Sequence, residues 1–495
     1  MKSSYQELKK IFAKASIASD IEGILHWDMS TVMPSNSRKQ RSNHLAFIAK
    51  LKHEILSDKK IDDLINKAEE EELDYKDSAN LTEMKREHTL LSALPSSLVE
   101  SLSKASATCE GFWQEARKLS DFSIVQKPLE DLFKLTKEES IILADKFSCS
   151  PYEALVQKFE PQADVSEISK VFFDLKKFLI PTIDLILEKQ KNEKIIEFSD
   201  TISEEKQFEI AQKLMKIIGF DFTRGRLDKS EHPFCGGSTQ DVRITTRYSK
   251  FDPFSSLDGV MHETGHAMYE LGLPEEWQHQ PAGRARGMVM HESQSLLVEM
   301  QITRSLAFKK FLSNFLKINL NLKDNTWSYK NLYALGTRVN KSFIRVEADE
   351  VTYPLHIMLR FEMEKMLFNN SLKVKDIPEV WNQEFKKLFG IDVDKNANGC
   401  LQDIHWYAGL FGYFPTYSMG ALTSAQLANT IRKKISNFDQ DIEEGKFETL
   451  FQWLKLNIHE KASFFSTKEV LEQVTNNSLD AQYFKDYITN RYLES

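Results

Sequence analysis

One five-residue run constrains this chain more than any other: His262-Glu263-Thr264-Gly265-His266, inside the stretch 255–274. The stretch reads as a helix. Ser255 followed by Asp258 resembles a capping arrangement, Leu257, Met261, Met268 and Leu271 recur at helical spacing, and Gly272 with Pro274 supplies a stop. Residues four apart on a helix project from one face about a turn apart. His262 and His266 can therefore reach one metal ion while Glu263 lies beside it.

Such a trio also arises by chance, so the reading needs a third protein ligand and a position left open for water. The run His291-Glu292-Ser293-Gln294-Ser295 begins a second helix and offers Glu292. Glu292 is preferred because a polar run entering the apolar Leu296-Leu297-Val298 directly is out of place at the start of a surface helix. Glu299, two turns further along the same face, suits ion pairing or support of a ligand from behind. The spacing describes a zinc hydrolase.

The chain of 495 residues has no Pro/Gly/Ser-rich linker, few prolines and glycines, and apolar periodicity almost throughout. One large helical body is expected, open to division into two lobes around a cleft. A net charge of −8 argues against a protein that coats nucleic acid or an anionic membrane. The N-terminal segment lacks a continuous apolar region, and nowhere do eighteen apolar residues run together, so the chain reads as soluble and not exported. Cysteines 109, 149, 235 and 400 show no Cys-x-x-Cys spacing, which disfavours a disulfide framework or a thiolate zinc site and fits a reducing cytoplasm.

Helices are expected at about 3–29, 36–73, 79–92, 96–119, 129–147 and 166–193, with Pro181 kinking or splitting the last. Trp27-Asp28 and Met33-Pro34 read as packing residues or as the lining of a cleft. Residues 241–248 are β-branched and alternating, the one convincing strand. Such a strand shortly before the metal helix can offer its edge to an extended peptide, or simply pack beneath the helix. Further helices are expected at 325–370, 377–389, 423–437, 444–462 and 480–493, with Ser466 and Glu469 forming a capping box and a loop-rich piece at 398–406.

Six motifs then stand in one order: His232-Pro233-Phe234, Asp241-x-Arg243-x-Thr245, His262-Glu263-x-x-His266, His291-Glu292-Ser293-Gln294, Ile344-Arg345-x-x-Ala348-Asp349 and Gly399-x-x-Gln402-Asp403-x-His405-Trp406. In these the chain resembles the carboxypeptidase Taq family of metallocarboxypeptidases, essentially from end to end. The resemblance implies a mostly α fold, a helical zincin-like body with a deep groove similar to neurolysin-type enzymes, a small β element, a single catalytic domain over 1–495 and a homodimer. It also implies His262, His266 and Glu292 as ligands and Glu263 as the catalytic carboxylate, in agreement with the spacing. Arg284-Ala285-Arg286, and Ala462-Ser463 after His459 where a glycine is expected, depart from the family's pattern.

The expected chemistry is hydrolysis by a metal-activated water whose proton Glu263 takes and passes to the leaving amine. His232, His405 and Tyr417 are candidate donors to the oxyanion, each equally readable as a buried core residue. Release from a C-terminus needs a group for a free carboxylate, and a guanidinium giving two parallel hydrogen bonds suits it best. Arg243 and Arg345 are the candidates, with Arg345 also placed to pair with Glu347 or Asp349. The resemblance implies that the segments containing Arg243, Gln402, Asp403, His405 and Trp406 bind the substrate's end. Asp349 is a candidate to orient a metal-bound histidine. Zinc is favoured by the ligand set and cobalt also fits. The alternatives are an oligopeptidase of similar fold that cuts within peptides, and a non-catalytic peptide binder stabilised by zinc.

Overall fold

Apolar residues recurring at three- and four-residue spacing make most of the chain helical, with one small sheet. The computed structural model describes residues 3–198, 201–249, 252–321 and 324–494. Its packing resolves into two compact units, Met1–Leu91 with Lys194–Gly336 and Thr423–Leu479, and Ser92–Glu193 with Thr337–Leu422 and Asp480–Ser495.

In the first unit the sheet has strand order β1-β3-β2, where β1 is Gly225–Lys229, β2 is Phe234–Ser238 and β3 is Asp241–Thr246. β1 runs parallel to β3 and β2 antiparallel to it, with Leu227 and Cys235 both opposite Ile244. The β2–β3 hairpin requires glycine at 237, where φ is +99° and a Cβ would meet the Asp241 carbonyl oxygen at 1.9 Å. The expectation for 241–248 is corrected in one respect. β3 is the central strand, its hydrogen-bonding groups taken on both sides, so it has no edge to offer a peptide.

Val242, Ile244 and Leu227 bury against Val260 and Ala267 of the Pro253–Gly272 helix. The same helix turns Leu257, Met261 and Tyr269 into a larger core with Met290, Leu297, Phe308, Trp327 and Leu450. Each such side chain contributes about 1.5 to 3 kcal/mol by leaving water, so the helix is clamped from both sides. Its cap is Asp252, whose side chain accepts from Ser255 N at 2.9 Å, rather than the expected Ser255 and Asp258. A third core joins Tyr5, Phe12, Leu56, Ile61 and Met84 of the N-terminal helices.

The second unit is built on aromatic packing. Phe361 of the Tyr353–Phe368 helix meets Phe172 and Tyr152, and Trp406 stacks with Phe411 at a 7° interplanar angle. Several expected helices differ in extent. Residues 36–73 break at Asp58, whose side chain accepts from Lys60 N, giving Arg38–Leu56 and Lys60–Ala68. Residues 325–370 break over an irregular stretch between Tyr329–Gly336 and Tyr353–Phe368, which includes the short 3-10 turn Arg345–Glu347. Val165–Gln190 runs unbroken through Pro181, because the buried face Leu175, Leu179, Ile183 and Ile186 outweighs one lost hydrogen bond. Ser123–Phe147 likewise contains Pro128, and Pro415–Lys434 starts earlier than the expected 423. The Ser466–Glu469 capping box is present.

Candidate active site

The Pro253–Gly272 and Gly287–Leu296 helices approach closely because residue 265 has no side chain. A Cβ there would lie 2.6 Å from both the Gln294 carbonyl oxygen and Ser295 Cα. Backbone contact at the middle of the motif sets Glu292 opposite the two histidines. Nε2 of His266 lies 3.3 Å and Nε2 of His262 3.9 Å from Oε2 of Glu292, and one donor atom from each of the three falls within 4.8 Å of the others. Two imidazole nitrogens and a carboxylate oxygen at this spacing fit a divalent metal ion.

Behind the donors, Nδ1 of His262 lies 2.8 Å from Oε2 of Glu299, whose Oε1 meets Arg304 at 2.9 Å. The Gly287–Leu296 helix continues into a π-helical segment, Leu297–Thr303, and this wider turn carries Glu299. Glu299 thus stands behind one of the candidate ligands, the position considered for Asp349. Asp349 instead holds the turn that leads into the Tyr353–Phe368 helix, accepting from Asn340 N, Val351 N, Thr352 N and the Thr352 hydroxyl.

The electrostatics are those of a crowded acidic pocket. Burial lowers the His262 pKa, but the Glu299 hydrogen bond with the charges of Glu292 and Glu263 outweighs it and raises the value to about 10. Burial lowers His266 to about 4 despite its bond to Glu292. A proton on His262 does what a metal cation would do, neutralising the surrounding carboxylates. Glu263 is 8% exposed, and its side chain makes no hydrogen bond among the described residues. Burial pushes its carboxyl up to about 7, with His262 opposing and Glu292 adding.

His232 is exposed in the bend two residues before β2, with its carbonyl accepting from the Ser230 hydroxyl. Arg243 gives Nε and Nη2 to Asp241 at 2.9 and 2.7 Å, and its guanidinium lies 4.2 Å from the Trp27 ring. Trp27 therefore packs against Arg243 and Arg226, and Asp28 pairs with Arg41 at 2.6 Å.

The second unit gathers the other candidates. Arg345 pairs with Asp403 at 2.9 Å, not with Glu347 or Asp349, and Arg360 reaches the other oxygen of Asp403 at 2.5 Å. Gln402, Asp403 and Trp406, expected at the substrate, are engaged within the protein. Gln402 accepts from Arg345 N and donates to the carbonyls of Phe343, Asn398 and Gly399. Trp406 is buried and donates to Glu364 at 2.7 Å. His405 Nε2 lies 3.2 Å from the Tyr417 hydroxyl, while its buried Nδ1 has no partner among the described residues. Burial lowers the His405 pKa to about 4, Asp403 opposing and Arg345 and Arg360 adding. Arg360 and Glu364 were not anticipated. The available signal was two charges four apart inside the apolar run 353–368.

A buried carboxyl next to a two-histidine, one-glutamate set that could hold a metal ion is the arrangement of a metallopeptidase centre. The sequence model of the carboxypeptidase Taq (M32) metallopeptidase family matches residues 7–492, and the chain belongs to that family of metallocarboxypeptidases. It is 34% identical over 99% of both chains to thermostable carboxypeptidase 1 of Pyrococcus furiosus. It is 32% identical to the protein of the same name from Thermus thermophilus, over 99% of this chain and 98% of that one. Among solved structures, metallocarboxypeptidase 1 of Trypanosoma cruzi superposes with a TM-score of 0.97 at 35% identity, covering 99% of each chain.

Proposed function

We propose that the chain is an HExxH-type zinc carboxypeptidase that releases amino acids one at a time from the free C-terminus of peptides. The observation that carries this is Glu263, buried beside His262, His266 and Glu292 with no side-chain hydrogen-bond partner among the described residues. A zinc or cobalt ion held by those three supplies Lewis-acid polarisation and acidifies water. Glu263 takes the proton of the attacking water and returns it to the leaving amine nitrogen. Glu299 and Arg304 hold the His262 ring while this happens.

Recognition of the terminal carboxylate falls to Arg345 rather than Arg243. Arg243 pairs with Asp241, whereas Arg345 and Arg360 share Asp403, which leaves an excess of positive charge that Glu364, its carboxyl pushed up to about 7 by burial, offsets only in part. A substrate carboxylate would balance it. His405, its Nε2 3.2 Å from the Tyr417 hydroxyl, and Tyr417 remain our candidates to donate to the substrate, and His232 keeps its candidacy from the sequence alone.

Because the family match runs through both units, we read residues 1–495 as one catalytic domain with a helical zincin-type body. A homodimer in a reducing cytoplasm completes the reading. Four free cysteines and two exposed apolar rows, Ile17, Ile21 and Ile24 with Phe47 and Leu51, support it. Peptides are the expected partners, and the net charge of −8 speaks against nucleic acid and anionic membranes. No helix among the described residues is long and apolar enough to cross a membrane.

The test is a product time course on one defined peptide, with its C-terminus free or amidated. The free peptide should lose its last residue first and then the next, and the amidated one should react far more slowly. Chelation should abolish hydrolysis, with zinc or cobalt restoring it. Glu263→Gln should keep the metal and lose several orders of magnitude in kcat. Equal rates on the two peptides would make the enzyme an endopeptidase, and full activity in protein shown by elemental analysis to be metal-free would end the metal reading.

A further inference from the structure

His266 is backed by a second imidazole, where His262 is backed by a carboxylate. Nδ1 of His266 lies 2.6 Å from Nδ1 of His291, and Nε2 of His291 lies 2.8 Å from Oε1 of Glu270. We propose that Glu270 and His291 form a hydrogen-bond relay that holds His266 in the one tautomer able to bind a metal ion. The proposal rests on the reading of His262, His266 and Glu292 as ligands.

Two imidazole nitrogens at this distance need one hydrogen between them, since two bare lone pairs repel. Suppose the hydrogen sits on His291. His266 then accepts at Nδ1 and, when neutral, carries its own hydrogen on Nε2, the nitrogen 3.3 Å from Glu292. That tautomer donates to the third ligand and has no lone pair for a metal. Suppose instead that the hydrogen sits on His266 Nδ1. Its Nε2 is then bare and faces Glu292, while His291 accepts at Nδ1 and carries its hydrogen on Nε2, aimed at Glu270. A carboxylate only accepts, so Glu270 selects the second arrangement. Glu270 sets the tautomer of His291, and His291 sets that of His266.

The parts are held by the same features that build the site. Glu270 lies one turn beyond His266 on the Pro253–Gly272 helix, and His291 sits within the Gly287–Leu296 helix, one residue before Glu292. The His266 and His291 rings stand 4.6 Å apart, and Tyr269 braces His291 from a ring distance of 5.5 Å. Side-chain exposures of 12%, 18% and 25% for His266, His291 and Glu270 keep the chain of bonds largely shielded from competing water.

The relay is tested on full-length protein stripped of metal, by measuring zinc affinity in competition with a chromophoric chelator and the Tm of the metal-free form in parallel. His291→Leu and Glu270→Ala should each lower zinc affinity ten- to a hundredfold, the range of outer-shell partners. Glu270 acts only through His291, so the double variant should bind zinc no more weakly than His291→Leu alone. His291→Gln should recover most of the affinity, because its amide oxygen accepts from His266 and its amide nitrogen donates to Glu270. Wild-type affinity in Glu270→Ala, additive losses in the double variant, or no recovery with His291→Gln would overturn the relay. His266→Ala is the control. If it leaves zinc affinity intact, the ligand assignment has failed rather than the relay.

Discussion

Oε2 of Glu299 sits 2.8 Å from Nδ1 of His262, the ring whose Nε2 faces Glu292 at 3.9 Å. The two carboxylates thus address opposite nitrogens of one imidazole. Only Glu292 also approaches His266, so Glu292→Ala should abolish tight metal binding, whereas Glu299→Ala should weaken it ten- to a hundredfold by freeing the ring. Equilibrium zinc titrations of both variants check this, and a weaker Glu299→Ala than Glu292→Ala would exchange the two roles.

Gly265→Ala puts a methyl group 2.6 Å from the backbone of the facing helix, where neither strand of contact is a flexible side chain. The helices must separate, at a cost of about 1 to 3 kcal/mol typical of overpacking. Denaturant titration should show that loss. Metal affinity should fall with it, since Glu292 moves away from both histidines.

Asp403 holds two buried guanidiniums, and Asp403→Asn should cost about 3 to 5 kcal/mol by leaving both without a counter-ion. Arg345→Ala should cost less, because Asp403 keeps Arg360. Burial alone would raise the Asp403 pKa, but Arg360 and Arg345 hold it far below the carboxylate range. The folded state therefore binds this proton less readily than the unfolded chain. Its contribution is complete above about pH 4 and is lost as pH falls below that value. The stability gap between wild type and Asp403→Asn should accordingly shrink on acidification below pH 4. In activity, Arg345→Ala should narrow the rate difference between free and amidated peptides by roughly ten- to a hundred-and-fifty-fold, with Arg243→Ala as the comparison.

Ala462 adopts φ +43° and ψ −132°, a conformation that glycine enters without steric cost. Ala462→Gly should raise stability by about 1 kcal/mol, read as an increase in denaturant midpoint at constant m value. The neighbouring Ser463 donates its N–H to the Ala282 carbonyl and its hydroxyl to the carbonyls of Arg284 and Ala285. The two places where the sequence departs from the family's pattern are therefore in contact.

The sequence by itself determined the local features of this protein. The spacing of His262, Glu263 and His266 follows from helical geometry, and the Ser466–Glu469 box and the residues of β3 follow from short-range chemistry. Glu292 was legible because a polar run had no other reason to enter an apolar helix. What only the tertiary structure decided depends on partners far away in the chain. β3 proved central because β1 and β2 close on it from both sides, which no periodicity in 241–248 records. Residues 337–339 are extended because Gln190 donates to the Thr337 carbonyl and accepts from Val339 N, replacing helical hydrogen bonds with a side chain 147 to 149 residues away. Arg345 chose Asp403 over its own neighbours Glu347 and Asp349, since a buried guanidinium is satisfied by whichever carboxylate the fold brings into its plane. His291 stood in a motif of the sequence but received no role there, for the same reason. Its function lies in two hydrogen bonds to another helix, and they exist only because Gly265 lets the two helices touch.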